Sequence, residues 1–441
     1  MPLSRAQEEA TEKSSRDEGV GDFTLSLNQE LANGILLQPS LSIIRTDDQS
    51  FGAETQNDAS INFSLIIPLQ KGWGRDVVEA ETRSARASLQ SSRYSLQHAM
   101  ASSIKEMVAA YWNYVAAEKK LTILQNIENR SRQAVADMRE LIKADENPAS
   151  DLGLLSANLS DKSFSRVAAQ QDLLAARNGL GMVMGLTRIE EVDLSRPRDS
   201  FPEVIDISGV DKVNRAQFLL LVSLAKKMRT DLKALSSNEE ALRVTLAAAH
   251  NDLKPQLDLV FSTGYNGLAE GDDWKKSLNS LSSRVPGLNY GVTLNYQFPY
   301  QNNIAKGQLA QIEAALAQAR ISTADLERNI VSQVEVVFTA LQRSLEELQY
   351  SAEAVRVYQQ VVADEKVKIR LGMATVIDLI TMADKLEGAL LAEVSSQQNY
   401  ANTLLNLRYE TGTLVFWGDD GSSLSLKNLT TIPEISGEGG I

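Results

Sequence analysis

Two stretches of this chain, roughly residues 76–146 and 301–371, are free of proline and carry mostly polar surfaces. At a rise of about 1.5 Å per residue, each reads as a single helix of about 100 Å. Few folds accommodate such rods. Helical patterns longer than about 25 residues imply coiled coils, membrane spans or repeat architectures. No window approaches about 18 consecutive apolar residues, which excludes a membrane-spanning helix.

The apolar spacing inside the second rod narrows the choice. Leu326, Ile330, Val334, Val337, Leu341, Leu345 and Leu348 step by 4, 4, 3, 4, 4 and 3 residues. That eleven-residue repeat suits nearly straight or slightly right-handed packing. Further on, Leu348, Val355, Val362 and Ile369 recur every seven residues, the spacing of a left-handed coiled coil. A looser amphipathic stripe in a helical bundle fits the same positions.

Strand-like alternation precedes each rod. "INFSLIIPLQ" places Ile61, Phe63, Leu65 and Ile67 on one face. "PQLDLVF" does the same with Leu257, Leu259 and Phe261, and "YGVTLNYQFPY" with Val292, Leu294, Tyr296 and Phe298. "PSLSII" at 39–44 begins similarly. Apolar residues on one face and polar residues on the other suit a water-filled membrane barrel, with these side chains toward lipid. They suit an ordinary half-buried sheet equally well. Trp73 and Tyr300, at the strand ends, fit interface aromatics and fit ordinary packed aromatics as well. Residues 46–60 and 263–287 are polar and read as long loops.

The order strand, strand, long helix, break, shorter helix occurs twice: 76–146 then 149–186, and 301–371 then 376–414. Asp151 and Asp378, Gly185 and Gly412, Lys143 and Arg370, and Tyr111 and Phe338 each differ by 227 (378 − 151, 412 − 185, 370 − 143, 338 − 111). A repeat of this length makes each half a whole supersecondary unit. The division predicted is an N-terminal arm at 1–34, a first repeat at 35–208 and a second at 209–415. The first holds strands at 35–70 and an end segment at 187–208, the second a helix at 209–250 and strands at 255–300. A tail follows at 416–441. The helix at 209–250 has no counterpart before the first strands. The expectation is that an N-terminal helix and a signal peptide are missing from the arm; the alternative is a chain that begins with a short arm and an extra strand. "MPLSRAQEEATEKSSRDEG" has no apolar core of its own and is not a secretory signal.

Catalytic chemistry finds little purchase. There is no cysteine, so thiolate zinc sites, disulfides and cysteine nucleophiles are excluded. The two histidines, His98 and His250, lie apart in helical patterns and read as packed or surface residues. "GLGMVMG" at 179–185 closes a helix and is not a dinucleotide loop. The acidic residues show no metal-ligand spacing. No catalytic residue, cofactor site or metal site is assigned, and an enzyme is not expected. A net charge of −13 disfavours nucleic acid as a partner.

The motifs resemble those of the TolC-type outer membrane efflux proteins. The likeness rests on "KPQLDLVFSTGYNG", "LNYQFPYQNNIAKGQLAQIEAALAQAR", "RLGMATVIDLITM" and "LRYETGTL", and in the first half on "LQPSLSII", "LIIPLQKGWGRDVVEAE" and "MVAAYWNYVAAEKKL". It spans about 35–415. It implies a mainly α fold with a small antiparallel β part and long antiparallel helical hairpins in two tandem repeats. Three copies would build an α-barrel crossing the periplasm and a twelve-stranded outer-membrane β-barrel. About four strands per chain cannot close a barrel alone, since the smallest bacterial ones have about 8. The segments at 187–208 and 416–441 would form an equatorial belt or be partly disordered.

The same resemblance implies a passive exit duct of an efflux or type I secretion system. It would be opened by a periplasmic adaptor, powered indirectly by an inner-membrane pump, and bounded by outer-membrane lipid. The two helical turns would dock the adaptor: Lys143, Asn147 and Pro148 in the first, Arg370, Gly372, Met373, Ala374 and Thr375 in the second. Pro148 and Asn147 suit a break between helices, Gly372 a helix end and Thr375 a helix start. Asp378 matches the family's acidic gate position, with Asp151 as its repeat mate. The family often has a second Asp three residues on, where this chain has Thr381, so a double carboxylate ring is in doubt. The competing reading is a soluble coiled-coil scaffold without channel activity.

Overall fold

A computed structural model describes residues 18–48, 54–143, 149–187, 195–197, 199–203, 215–282, 287–371, 373–418, 421–424 and 429–433. The chain divides into two units: residues up to Leu89 with Ser237–Arg320, and Gln90–Ser236 with Ile321 onward.

The first unit carries a six-stranded antiparallel sheet. Its strands are β1 (Glu18–Ser26), β2 (Gln29–Glu30), β3 (Leu36–Asp48), β4 (Gln56–Pro68), β5 (Gln256–Glu270) and β6 (Gly287–Gln297), in the order β1-β3-β4-β5-β6, with β2 on β3. The register aligns the apolar positions into rows. Leu37, Leu65, Phe261 and Val292 stand side by side, one per strand, as do Leu25, Leu41, Ile61, Tyr265 and Leu288. Ile67 faces Leu259, which faces Leu294, and Leu257 faces Tyr296. Residues directly opposite one another share a face, so these rows form one apolar surface across the sheet. The other face carries Ser40, Asn62, Gly264 and Asn289 in one row and Gln38, Ser64, Ser262 and Gly291 in the next. Two rows depart from the alternation: Leu36, Ile66 and Val260 sit on the otherwise polar face, as do Ile44 and Leu268 on either side of Asp58.

Ile61, Phe63, Phe261, Val292, Leu294, Tyr296 and Phe298 are exposed, while Leu65, Ile67, Leu257 and Leu259 are half-buried. Along β6, an edge strand, both faces are open. Trp73 and Tyr300 are exposed as well.

The polar segments 46–60 and 263–287 are not mainly loop. Strand β3 runs on to Asp48, β4 starts at Gln56, and β5 continues to Glu270, paired from Gln56↔Glu270 onward. Their polar composition concealed strands whose backbone groups are satisfied by the ladder. A short helix α6 (Trp274–Asn279), capped by Asp273, and a turn of 3₁₀ helix follow. Asn57, fully buried, donates to the carbonyls of Ala269 and Gly271 at 3.2 and 2.9 Å and fixes this end of the sheet. The N-terminal arm also contributes a strand, β1, to the sheet.

The helices are α1 (Arg75–Val78), α2 (Ala80–Lys143), α3 (Ala149–Val183), α4 (Arg215–Met228), α5 (Thr230–Asp252), α7 (Asn303–Arg370) and α8 (Val376–Glu410). With 64 and 68 residues, α2 and α7 are the rods the sequence predicts. Each is followed by a helix of 35 residues. Helices α2 and α7 end 227 residues apart (370 − 143), α3 and α8 start 227 apart (376 − 149) and end 227 apart (410 − 183). None of the described helices is long and apolar enough to cross a membrane.

In the second unit, α8 separates two cores. Ala401 and Leu405 pack with Val108, Trp112, Val115 and Leu414. Tyr400, Leu404 and Leu407 pack with Leu221, Ile330, Val334 and Phe338. The eleven-residue stripe of α7 lies in this second core, with Leu326, Val337 and Leu345 against its edge. A helix apolar all round belongs inside a core, which accounts for the LLNL run near the end of α8. Each end segment has a docked point. Phe201 lies 5.7 Å from the Trp112 ring, and Arg408 donates to Thr431 and Ile432.

The single helix expected at 209–250 is two. It breaks at Arg229, between α4 and α5, while 204–214 lies outside the described residues. No proline or glycine marks the break. It sits where the end of α8 presses in: a Cβ on Gly412 would lie 2.8 Å from the Arg229 nitrogen. The Arg229 guanidinium reaches sideways to Asp231 and Glu410. Helices α3 and α8 also end alike. Gly185 and Gly412 have φ of 70° and 68°. The Leu186 N–H donates to the Gly181 carbonyl and the Thr413 N–H to the Arg408 carbonyl, both at 2.9 Å, the long bond of a Schellman closure.

Candidate functional site

The helical turns come together within the second unit. Val135 and Met138 of α2 and Leu155 of α3 are buried in one cluster, and Val376 and Ile380 of α8 pack against it. The start of α8 thus rests on the α2–α3 hairpin, and the two predicted turns share one apolar patch.

At the second turn, α7 closes with the Met373 N–H donating 2.9 Å to the Lys368 carbonyl. Thr375 is the N-cap of α8, as its position predicted. Its Oγ1 accepts from the Asp378 N–H at 3.3 Å, and the Asp378 carboxylate accepts from the Thr375 N–H at 2.9 Å and its hydroxyl at 2.7 Å. This reciprocal box satisfies two helix-end donors. The Thr375 hydroxyl, then its backbone N–H, and less strongly the Lys368 ammonium hold the Asp378 carboxyl below the usual aspartate range. Asp378 is exposed and bound to its own helix start. Thr381 donates to the Ile377 carbonyl at 2.8 Å, so its hydroxyl is also held within the helix. Met373 and Ile377 are exposed, with Leu371 beside them, and Ala374 is half-buried.

At the first turn, Asp151 stands third in α3, as Asp378 stands third in α8. Lys143 closes α2 and pairs with Glu140 at 2.7 Å in solvent. Asn147, Pro148 and Gly372 lie outside the described residues, as does the Arg370 side chain.

A polar layer behind the turns escaped the sequence reading. Lys162 of α3 bridges Asp384 at 2.6 Å and Glu387 at 2.7 Å on α8. Burial pulls the Lys162 ammonium down, but hydrogen bonds to the two carboxylates outweigh it and raise its pKa. Glu128 of α2 accepts from Ser163 and pairs with Arg166 at 2.9 Å. The one available signal was the spacing of Asp384 and Glu387, two acids on one helix face. His98 packs on Tyr409 beside a crevice with room for little more than one water. His250 is exposed.

Replacing Thr375 by alanine removes the cap and is expected to cost about 1 kcal/mol, felt mainly in the first turn of α8. Hydrogen exchange of the Asp378 amide reads this directly, and unchanged protection would count against the capping role. Because the Asp378 pKa is lowered on folding, its contribution is full above about pH 4 and fades as pH falls through its folded pKa.

No family model matches the chain. Outer membrane protein TolC of Escherichia coli (strain K12) is 22% identical over 217 residues, 48% of this chain and 43% of its own length. The match therefore spans less than half of that relative. The CmeC outer membrane channel of Campylobacter jejuni superposes with a TM-score of 0.62 at 14% identity, over 92% of this chain and 80% of CmeC. The outer membrane protein VceC of Vibrio cholerae gives 0.63 at 14% identity, over 90% of this chain and 87% of VceC. In its motifs and in its fold alike, the chain resembles the TolC-type outer membrane efflux proteins, and its fold is that of the outer membrane channels CmeC and VceC.

Proposed function

We propose that this chain is the outer-membrane exit duct of an efflux or type I secretion system. Its sheet lies in the outer membrane and its helices in the periplasm. The observation that carries the reading is the sheet: one face is apolar across the four strands β3 to β6, and among the described residues the β6 edge is unpaired. Open edges do not persist in lipid, so copies must complete one another, and a homotrimer closing a twelve-stranded barrel is the arrangement we adopt. Ile61, Phe63, Leu65, Ile67, Leu257, Leu259, Phe261, Val292, Leu294, Tyr296 and Phe298 then face lipid. The two halves, 35–208 and 209–415, are tandem repeats, a reading supported by the common offset of their helix ends and by their matching glycine closures. The turns at 143–152 and 370–378 dock a periplasmic adaptor, with Met373 as an exposed apolar contact beside Leu371 and Ile377. Asp378 and Asp151 ring the periplasmic aperture, where carboxylates favour cations, with Thr381 just inside.

Reconstituted into planar bilayers, the full chain is expected to run as a trimer and give small cation-selective currents. Asp378→Ala should enlarge the current or destabilise the closed state. A soluble monomer that passes no current overturns the reading and favours the scaffold alternative.

A further inference from the structure

Strand β1 occupies the place that a neighbouring copy needs. It pairs with β3 antiparallel over nine residues, from Glu18↔Asp48 to Ser26↔Ser40. From β3 to β6 each strand reverses direction, so β1 runs the same way as β6. A ring of such five-stranded units would set β6 of one copy beside β1 of the next as a parallel pair, and three copies would hold an odd number of strands. Membrane barrels of this bacterial kind are antiparallel with an even count. Without β1, β6 of one copy meets β3 of the next antiparallel, and the ring closes. The two-residue strand β2 covers Leu36 and Leu37 on the same edge and must leave with it.

The chemistry of the two strands favours the exchange. On the apolar face β1 presents Gly19, Gly21, Phe23 and Leu25, and β6 presents Leu288, Tyr290, Val292, Leu294 and Tyr296. Glycine weakens a strand and adds nothing to cross-strand packing. Phe23 and Leu25 remain 59% and 62% exposed, so the backbone ladder is the main hold on β1.

Resting on the channel reading above, we propose that β1 is a placeholder. It covers the β3 edge of the single chain against unspecific pairing and is displaced by β6 of a second copy as the barrel closes.

A cross-strand lock tests this. Thr24 and Ser42 are directly opposed, with their hydroxyl oxygens 3.3 Å apart, and the chain has no cysteine of its own. The double variant Thr24→Cys/Ser42→Cys, refolded with lipid, should form the trimer when reduced and lose it when oxidised, and reductant should restore it. Each single variant should trimerise in both states. An oxidised pair that trimerises like the parent overturns the proposal. If the unmodified chain forms no trimer, the channel reading itself fails and the placeholder with it. Should oxidation lower the helical circular dichroism, removal of residues 18–26 decides: trimer at or above the parental yield supports the proposal, and a loss of trimer refutes it.

Discussion

Gly412→Ala is expected to lower the stability of the second unit by about 3 kcal/mol, and Gly185→Ala by about 1 kcal/mol. Both glycines end a 35-residue helix in the same left-handed conformation, where any Cβ costs about 1–2 kcal/mol. They differ in what lies beyond. A Cβ on Gly185 meets nothing within 4 Å, whereas on Gly412 it would stand 2.8 Å from the Arg229 nitrogen and 2.9 Å from the Met228 carbonyl carbon. Those are backbone atoms that cannot turn aside, so overpacking adds about 1–3 kcal/mol. Urea unfolding followed by helical circular dichroism gives both values. Equal losses at the two sites would mean that α8 does not press on the α4–α5 junction.

Removing the Arg229 guanidinium should be as damaging, at about 3–5 kcal/mol for Arg229→Ala. Arg229 is 6% exposed and joins Asp231, at 2.7 Å, to Glu410 at the end of α8. Burial pushes the Asp231 carboxyl up, but the hydrogen bonds and charge of Arg229, with a smaller contribution from His98, bring it below the ordinary value. A lowered folded pKa contributes stability above the unfolded value of about 3.9 and loses it as pH falls through the folded one. Without the arginine the burial remains and the compensation is gone, so the pKa of Asp231 should rise above that of the unfolded chain. The variant should then recover part of its stability as pH falls from about 7 toward 4. Unfolding midpoints across this range check the sign. A variant that only weakens further on acidification would remove the ion cluster from the account.

Those two sites also mark where the sequence was legible and where it was not. The starts of α3 and α8 and the end of α7 at Arg370 could be read from proline, glycine and an N-capping threonine, all local signals. The apolar rows of the sheet followed from period-two alternation. The interruption at Arg229 could not be read, because "KKMRTDLKAL" is a sound helical sequence and the groups that meet it, Gly412 and Glu410, lie about 180 residues on. Polar strand ends at 46–48, 56–60 and 263–270 were hidden for a related reason: cross-strand partners, not composition, make them strands. At the candidate site, position was legible and commitment was not. Asp378 could be placed at a helix start, but that its carboxylate is engaged by Thr375 depends on atomic geometry.

Burial along α8 is uneven, and its mechanical meaning reaches past stability. Between Val376 and Ala389 only Leu386 and Ala389 are buried, whereas Tyr400, Ala401, Thr403, Leu404, Leu405, Leu407 and Arg408 all are. The helix is clamped over its last three turns by buried apolar side chains, while its first half is held by edge contacts of Val376 and Ile380 and by the Lys162 bridges to Asp384 and Glu387. A load applied at the turn would therefore be carried first by those polar and edge contacts and last by the clamp. In the duct proposed above, opening by an adaptor would be a deflection of the start of α8, with the clamped end left in register.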